Sequence, residues 1–225
     1  MSRLLFLIIV GLGGAAILLW LGTWQVQRLA WKEGVIAEID ARIADTPVPL
    51  PAAPDPATDA YLPVTVTGQF RGDTLRVLVS QKDIGAGYRL ITPLVTDAGD
   101  ILVDRGFIAV DDKGIATPDG PITVTGNLQW PRETDGYTPE PDRDRNIWFA
   151  RDVPPLAIEL NTREVLVVAT AVTGDDPVIA PLPVDTSRIP NDHLQYAITW
   201  YALAAVWVVM TLLFLRRRRG QSAES

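Results

Sequence analysis

The chain of 225 residues contains no cysteine and a single histidine, His193. The lack of cysteine rules out disulfides, thiolate zinc sites and thiol-based copper transfer within this chain. One histidine also rules out a metal cluster built from several imidazoles of a single chain. His193 is therefore the one imidazole that could act as a base or a metal ligand.

Common catalytic and nucleotide-binding motifs are also missing. The sequence has no G-x-S-x-G motif, phosphate-binding loop or dinucleotide fingerprint. The GAG triplet at 85–87 is not followed by the helix that a dinucleotide site needs. A Ser-His-Asp set is not expected, because the one histidine lies at the edge of a long hydrophobic segment. We therefore predict that the protein is not an enzyme.

The charge balance is acidic, with 27 Asp and Glu against 20 Lys and Arg. This balance argues against nucleic acid as a partner, because the phosphate backbone binds cationic surfaces. Hydrophobic residues make up 48% of the chain and are concentrated towards its two ends. The composition therefore lies between the soluble and membrane classes.

The first hydrophobic segment covers residues 4–22, which include no charged or polar side chain. As a helix it would span roughly 28 Å, about one hydrocarbon core. A cleaved signal peptide is the alternative, but its apolar region is normally shorter and a small-residue cleavage site should follow. We predict an uncleaved transmembrane helix over residues 4–24.

The second hydrophobic segment is free of charge over residues 196–215, and four arginines follow it at 216–219. It predicts a transmembrane helix over 193–215. Because cations flank the cytoplasmic ends of membrane helices, Arg3 and the arginine cluster place residues 1–3 and 216–225 in the cytoplasm. The part between the spans then lies outside, with about eleven net negative charges. We predict a bacterial inner-membrane protein with a periplasmic domain; an organellar membrane with the same topology is the alternative.

Small residues recur at steps of four and seven residues in the first segment and at steps of seven and eight residues in the second. They are Gly11, Ala15 and Gly22 in the first segment and Ala197, Ala204 and Ala205 in the second. Small side chains let transmembrane helices approach closely. We expect the two helices to pack on each other; the alternative is that Gly and Ala are simply common in membrane helices.

The sequence between the spans has three parts with different predicted structures. Residues 25–45 continue as an amphipathic helix, and the proline-rich stretch 46–60 predicts an extended linker. Strand patterns then occur at 64–68, 75–79, 88–95, 101–110, 122–126, 146–149 and 164–172, with a short helix at 154–161. Short strands separated by turns predict a mainly antiparallel, barrel-like β domain over residues 61–190.

Two arginines in this domain adjoin both acidic and apolar residues. Arg105 follows Asp104, and Arg151 precedes Asp152. The pattern favours buried Arg–Asp pairs that hold the barrel together. A docking contact for a partner is the alternative.

Aromatic and basic residues gather where both spans meet the predicted outer membrane face. They are Trp20, Trp24, Arg28, Trp31 and Lys32, with the polar Gln25, at the end of the first span, and Tyr201 with His193, Tyr196 and Trp200 at the start of the second. The last three are spaced i, i+3 and i+7, so they share one face of a helix. The excess of aromatic residues on this side is compatible with a pocket for a cofactor.

This pattern suits haem. A neutral imidazole at His193 is a competent ligand of haem iron. Arg28, Lys32 or Arg188 could pair with the propionates. Met210 lies about 25 Å further along the helix, too far to bind the same iron. The alternative is a histidine that makes only a hydrogen bond at the start of a helix.

Four sequence blocks carry a resemblance to a known family. They are LGTWQVQRL (21–29), GAGYRLITPL (85–94), ILVDRGF (101–107) and NDHLQYAITWY (191–201). In this order, and with two membrane segments, they resemble the surfeit-locus-one (Surf/Shy1-type) family of cytochrome c oxidase assembly factors. Asp104 departs from the asparagine often found at this position in the family.

The resemblance implies a chaperone that helps to mature the haem-containing subunit I of an aa3-type oxidase. It implies haem a as cofactor and His193 as its axial ligand. The spacing adds Tyr196, Trp200, Trp24 and Arg28 as cofactor-binding residues. The expected partners are the lipid bilayer and subunit I, with haem a synthase and other assembly factors as further candidates. The alternative is a haem-independent scaffold that holds an oxidase subunit during cofactor insertion.

Overall fold

A computed structural model describes residues 3–72, 74–81, 85–112, 116–187 and 189–221. The chain forms two compact units, one of residues 1–38 with 186–225 and the other of residues 39–185. The elements, in chain order, are α1 (Arg3–Ile43), β1 (Val48–Pro49), β2 (Pro63–Phe70), β3 (Leu75–Gln81), β4 (Gly85–Val95), β5 (Ile101–Ala109), β6 (Ile122–Gln129), β7 (Ile147–Trp148), α2 (Val153–Leu160), β8 (Leu166–Val172) and α3 (His193–Gln221).

The first unit contains most of α1 and all of α3, two helices that are long and apolar enough to cross a membrane. Large apolar side chains on both are exposed, for example Leu12 at 68% and Val206 at 56%. So much exposed apolar surface favours a lipid environment over water. The predicted continuation of the first span is present, since α1 runs without a break through Gly34 to Ile43.

The two helices meet along a line of residues that we call the helix seam. In α1 it comprises Gly11, Ala15, Leu18, Gly22, Gln25, Leu29 and Lys32, and in α3 it comprises His193, Ala197, Trp200, Ala204, Trp207 and Thr211. The alternating steps of four and three residues form a heptad repeat, which keeps one helix face towards its partner. Ala197 and Ala204 are buried as predicted, but Ala205 is exposed. The prediction for Ala205 was wrong because Ala205 directly follows the seam residue Ala204. Consecutive side chains on a helix point about 100° apart, so the side chain of Ala205 points away from α1.

Close contacts along the seam confirm that the two helices pack. The Nε1 atom of Trp207 donates a hydrogen bond to the carbonyl oxygen of Gly11 at 3.0 Å. A Cβ atom at Gly22 would lie 2.8 Å from the ring of Tyr201, so glycine is what allows this approach. The hydroxyl oxygens of Thr23 and Tyr201 lie 3.2 Å apart.

The second unit is built on a sheet that closes into a ring, which confirms the barrel-like prediction. Strands β2, β6, β8, β5 and β4 pair in that order, and β2 pairs again with β4 at Gln69–Val95 and Phe70–Leu94. Most pairings are antiparallel, whereas β5–β8, β1–β2 and β3–β7 are parallel. The parallel β8 follows α2, as expected because parallel neighbours need a crossover connection.

Two layers of apolar side chains hold this unit together. Ile101 and Val103 of β5 point into the cluster inside the ring, whereas Leu102 points to the cluster beneath α2. Successive strand residues face opposite sides, so β5 is buried on both. Helix α2 covers the outer cluster with Val153, Leu156, Ala157 and Leu160.

The proline-rich stretch is attached to the sheet instead of spanning free space. Val48 and Pro49 pair in parallel with Val64 and Thr65 of β2, and the Leu50 amide donates to the Thr65 carbonyl oxygen. Proline lacks an amide hydrogen but can occupy a sheet edge, where its neighbours still bond. Residues 39–60 therefore belong to the second compact unit.

Candidate functional site

His193 is the first residue of α3, and its imidazole is half-buried. Its Nδ1 atom lies 2.7 Å from the Oε1 atom of Gln25, a residue that is only 8% exposed. Among the described residues, no hydrogen bond other than this one reaches the imidazole. One ring nitrogen is therefore held by α1, and Nε2 is available to a ligand.

The helix seam explains why these two side chains meet. Gln25 lies one turn after Gly22, where the missing side chain lets α3 come close. On the other side of Gln25, the ammonium group of Lys32 donates to the carbonyl oxygen of Pro190, just before α3 begins. Contacts on both sides of Gln25 thus fix the end of α3 that carries His193.

Three of the predicted residues lie on one side of the seam. Thr23 and Tyr201 each come directly after a seam residue. Their hydroxyl groups meet, so residues that follow a seam residue lie on one common side of the helix pair. Trp24, Arg28 and Tyr196 each precede a seam residue, so the helical phase places them on the opposite side. Trp24 and Arg28 from α1 therefore lie on the same side of the helix pair as Tyr196 from α3.

The exposure of the predicted residues indicates an open face instead of a closed cavity. His193 and Trp200 are half-buried in the seam. Tyr196 is 54% exposed, Trp24 is 47% exposed, and Arg28 is also exposed. A flat ligand on this face would contact aromatic side chains on one side and lipid or another protein on the other.

The three cations predicted for propionate binding differ in their surroundings. The guanidinium group of Arg28 lies 3.9 Å from the ring centroid of Trp31, in a cation–π contact. Such stacking uses the guanidinium face and leaves its in-plane N–H groups for a carboxylate. Lys32 already donates to Pro190, and Arg188 lies outside the described residues.

Two polar residues near His193 were missed by sequence reasoning. Gln25 was placed at the membrane face but not in the site, although its spacing of three from Gly22 continues the heptad repeat. The Oδ1 atom of Asn191 is buried without a hydrogen-bond partner among the described residues. Nothing in the sequence pattern indicates that this oxygen would be buried.

The part of the chain that the structure describes holds no group of three or more His, Asp or Glu side chains placed to bind a metal ion. A metal site made wholly from side chains is therefore not found there. Iron in a porphyrin differs, because the macrocycle supplies four ligands and the protein needs to add only one.

A second cluster of charged residues lies in the β unit. The Nε atom of Arg89 is 2.5 Å from the Oδ2 atom of Asp104, which is fully buried. Arg151 reaches the same oxygen at 3.4 Å and the Oε1 atom of Glu133 at 2.5 Å. Two guanidinium groups thus face two carboxylates, and the cluster is neutral as a whole.

The protonation of this cluster follows from burial and charge pairing. Burial lowers the pKa of Arg89, attraction to Asp104 opposes this, and repulsion from Arg151 leaves the pKa below its ordinary value. Burial also acts to lower the pKa of Arg151, but the hydrogen bonds and charges of Glu133 and Asp104 raise it. Burial acts to raise the pKa of Glu133, but Arg151 outweighs it and lowers the value. The charged forms of Arg151 and Glu133 are therefore both favoured by their pairing.

The predicted buried Arg–Asp pairs are confirmed for both arginines. Arg105 pairs with Asp175, and its guanidinium group lies 5.0 Å from the ring centroid of Phe70. Arg151 pairs with Asp104 and Glu133. Both guanidinium groups therefore have carboxylate partners within the β unit.

An open depression beside α2 is a further concave region of the β unit. Its volume is about 570 Å³, and its lining includes Thr74, Arg143, Asn146, Trp148 and Glu159. The Nε atom of Arg143 lies 3.0 Å from the Oε2 atom of Glu159. Because this cation and this carboxylate neutralise each other, the depression offers an ionic ligand little net charge.

Comparison with known proteins places this geometry in a family context. The model of the SURF1 family matches residues 12–205, which begin within α1 and end within α3. The chain belongs to the SURF1 family. Membership implies a role in cytochrome oxidase assembly, as the sequence blocks predicted.

SURF1 relatives come from both bacteria and eukaryotes. A SURF1-like protein of Monosiga brevicollis is 33% identical over 89% of this chain and 84% of its own length. A SURF1-like protein of Rickettsia bellii is 31% identical over 93% of this chain and 90% of its own. The human Surfeit locus protein 1 is 32% identical over 82% of this chain and 69% of its own. With these relatives and its two apolar helices, this SURF1-family chain is a membrane protein.

Proposed function

We propose that this SURF1-family protein binds haem a through His193 at the outer membrane face and supports its insertion into subunit I of an aa3-type cytochrome c oxidase. The observation that carries the proposal is the His193 imidazole, whose Nδ1 atom is held by Gln25 while Nε2 is available. A histidine nitrogen is a common axial ligand of haem iron. Family membership supports the oxidase context.

The residues present fit a haem group. The haem would bring the iron and the macrocycle, and His193 would bind the iron through a ring nitrogen. Trp24, Tyr196 and Trp200 would pack against the macrocycle, because aromatic rings stack well on flat conjugated surfaces. Arg28 would bind a propionate through its in-plane N–H groups.

The open face of the site suits a protein that gives its cofactor away. Tyr196 and Trp24 are about half exposed, so a bound macrocycle would remain accessible to the receiving subunit. A single protein ligand favours modest affinity, which would allow the cofactor to leave. No covalent step is required, and we propose that the protein acts as a chaperone and not as an enzyme.

The proposed topology places this site outside the cytoplasm. Arg3 precedes the first span and the arginines at 216–219 follow the second, and such cations favour the cytoplasmic side. Both termini would then lie in the cytoplasm of a bacterium, with the β unit in the periplasm and both helices in the inner membrane. Subunit I, haem a synthase and other assembly factors are the proposed partners.

Purification from cells that make haem a tests the proposal. The full chain carries a non-histidine affinity tag, so that His193 remains the one histidine present. We expect haem a to co-purify with the unaltered protein. His193→Ala should weaken binding more than about 100-fold, beyond the 10- to 100-fold loss typical of residues that only support a metal ligand.

Gln195→Ala is the matched control, because Gln195 lies on the same helical turn and is exposed. It should leave the bound haem a unchanged. Equal amounts of haem a in the unaltered protein and in His193→Ala would contradict the role of His193. An unaltered protein that never carries haem a would favour the haem-independent scaffold.

A further inference from the structure

We propose that Gln25 is a positioning residue that sets the tautomer of His193. Its side-chain oxygen accepts a hydrogen bond from the Nδ1–H group and thereby leaves the Nε2 lone pair free for iron. This inference rests on the proposed function, because it assigns Gln25 a task in the same haem site. The site would then depend on both membrane helices, with the ligand on α3 and its support on α1.

The geometry gives the direction of the hydrogen bond. The Oε1 atom of Gln25 lies 2.7 Å from Nδ1 of His193. A carbonyl oxygen has no hydrogen to donate, so Nδ1 must carry the proton that forms this bond. A neutral imidazole has one N–H group only, so Nε2 is then unprotonated. Metal-binding histidines commonly use this arrangement, in which one nitrogen donates to a neighbour and the other binds the metal.

The surroundings of Gln25 make this orientation stable. Gln25 lies in the helix seam and is only 8% exposed, so water competes little for its oxygen. Gly22, one turn earlier, brings the Tyr201 ring close to α1. Lys32, two turns later, donates to the Pro190 carbonyl oxygen. The imidazole and the amide are therefore held at a fixed separation before any ligand arrives.

The single histidine permits a direct test in the haem-free protein. Histidine labelled with ¹⁵N marks His193 alone, and correlation of the ring nitrogens with the ring protons by NMR distinguishes the two neutral tautomers. We expect the Nδ1–H tautomer in the full chain in lipid nanodiscs. An Nε2–H tautomer, in which the Gln25 amide nitrogen donates to Nδ1, would overturn the inference.

Variants of Gln25 test its effect on affinity. Gln25→Leu keeps the approximate volume and the apolar packing of the seam but removes the acceptor. The variant should lose the preference for the Nδ1–H tautomer and bind haem a about 10- to 100-fold more weakly. Gln25→Glu restores an acceptor oxygen at the same distance along the side chain and should restore the tautomer. Gln27→Leu, an identical change at an exposed position two residues away, is the control and should alter neither property.

The outcomes separate this inference from the proposed function. If Gln25→Leu changes neither the tautomer nor the affinity, the role of Gln25 is overturned while haem binding by His193 stands. If the unaltered protein has the Nδ1–H tautomer but does not bind haem a, the proposed function fails, and the role of Gln25 towards haem fails with it. If Gln25→Leu loses both properties and Gln25→Glu regains them, the inference is supported.

Discussion

Asp104 lies at the centre of the charged cluster in the β unit. It is fully buried, with Arg89 on one side and Arg151 on the other. A buried charge is tolerated only when opposite charges and hydrogen bonds surround it. The carboxylate of Glu133 balances the second arginine, so each member of the cluster depends on the others.

Replacing Asp104 with asparagine should destabilise the β unit. Asn keeps the shape but leaves Glu133 as the one carboxylate of the cluster that faces the guanidinium groups of Arg89 and Arg151. Breaking a buried pair typically costs about 3–5 kcal/mol, and in a domain of this size each kcal/mol lowers Tm by about 2–4 °C. Thermal unfolding of the full chain, followed by near-ultraviolet circular dichroism, should show a drop in Tm of about 10 °C.

Glu159→Gln provides the control for this prediction. It removes the partner of Arg143, whose side chain is 64% exposed, and exposed pairs contribute about 0–1 kcal/mol. Its Tm should stay within a few degrees of the unaltered protein. Equal Tm values for Asp104→Asn and the unaltered protein would contradict the account of the cluster.

At the scale of residues, the sequence supported a prediction where a chemically important residue type occurs only once. His193 was a candidate because the chain has one imidazole, in a helical spacing with two aromatic residues. Its partner Gln25 could not be predicted, because the register between two helices far apart in sequence depends on their packing. The pairing of Asp104 with Arg89 could not be predicted from the sequence either. Neighbours on a strand face opposite sides, so Asp104 pairs with Arg89 on β4 and not with the adjacent Arg105.

At the scale of elements, the helix seam determines what the membrane part can do. Alternating steps of four and three residues keep one face of α1 towards one face of α3. Glycine and alanine in the seam bring the backbones close, and this closeness lets Gln25 reach His193. The seam therefore supports the site although most of its residues carry no chemistry.

The absence of native cysteine allows the seam to be tested by cross-linking. An ideal Cβ atom at Gly11 would lie 3.3 Å from the Cβ atom of Thr211. This is close to the separation of about 3.5–4.5 Å in disulfides. Gly11→Cys with Thr211→Cys should therefore oxidise readily, and both thiols should become unreactive to a maleimide label.

Gly13→Cys with Thr211→Cys is the matched control. A Cβ atom at Gly13 has no neighbour within 4 Å, so it points away from α3. This pair should keep two reactive thiols after the same oxidation. If the thiols of both pairs became equally unreactive to the maleimide label, the cross-link would reflect random collisions of the helices. That result would contradict the assigned seam.

The strands were predicted from local patterns, but their order was not. Alternating and β-branched residues gave the positions of β2, β3, β4, β5, β6 and β8 within a few residues. The parallel pairing of β5 with β8 depends on how the chain crosses over through α2, which local patterns do not contain. The short strand β1 was missed because prolines near Val48 argued against a central strand, whereas an edge position tolerates them.

For the whole molecule, family membership and two apolar helices establish a membrane protein, while its orientation is a prediction. Tyr137 in the β unit is 95% exposed and suits a reporter. In the cysteine-free chain, Tyr137→Cys should react with a membrane-impermeant maleimide once the outer membrane is permeabilised, without lysis of the inner membrane. Labelling only after inner-membrane lysis would reverse the proposed topology.

The central claim, that the imidazole of His193 binds the iron of haem a, can be measured directly on the loaded protein. The full chain is labelled with ¹⁵N at histidine alone, loaded with ferric haem a, and studied by electron–nuclear double resonance. Because the sequence has one histidine, any strong coupling from a labelled axial nitrogen must come from His193. The account predicts this coupling in the unaltered protein, together with its loss in His193→Ala. Bound haem a without ¹⁵N coupling in the labelled, unaltered protein would contradict it.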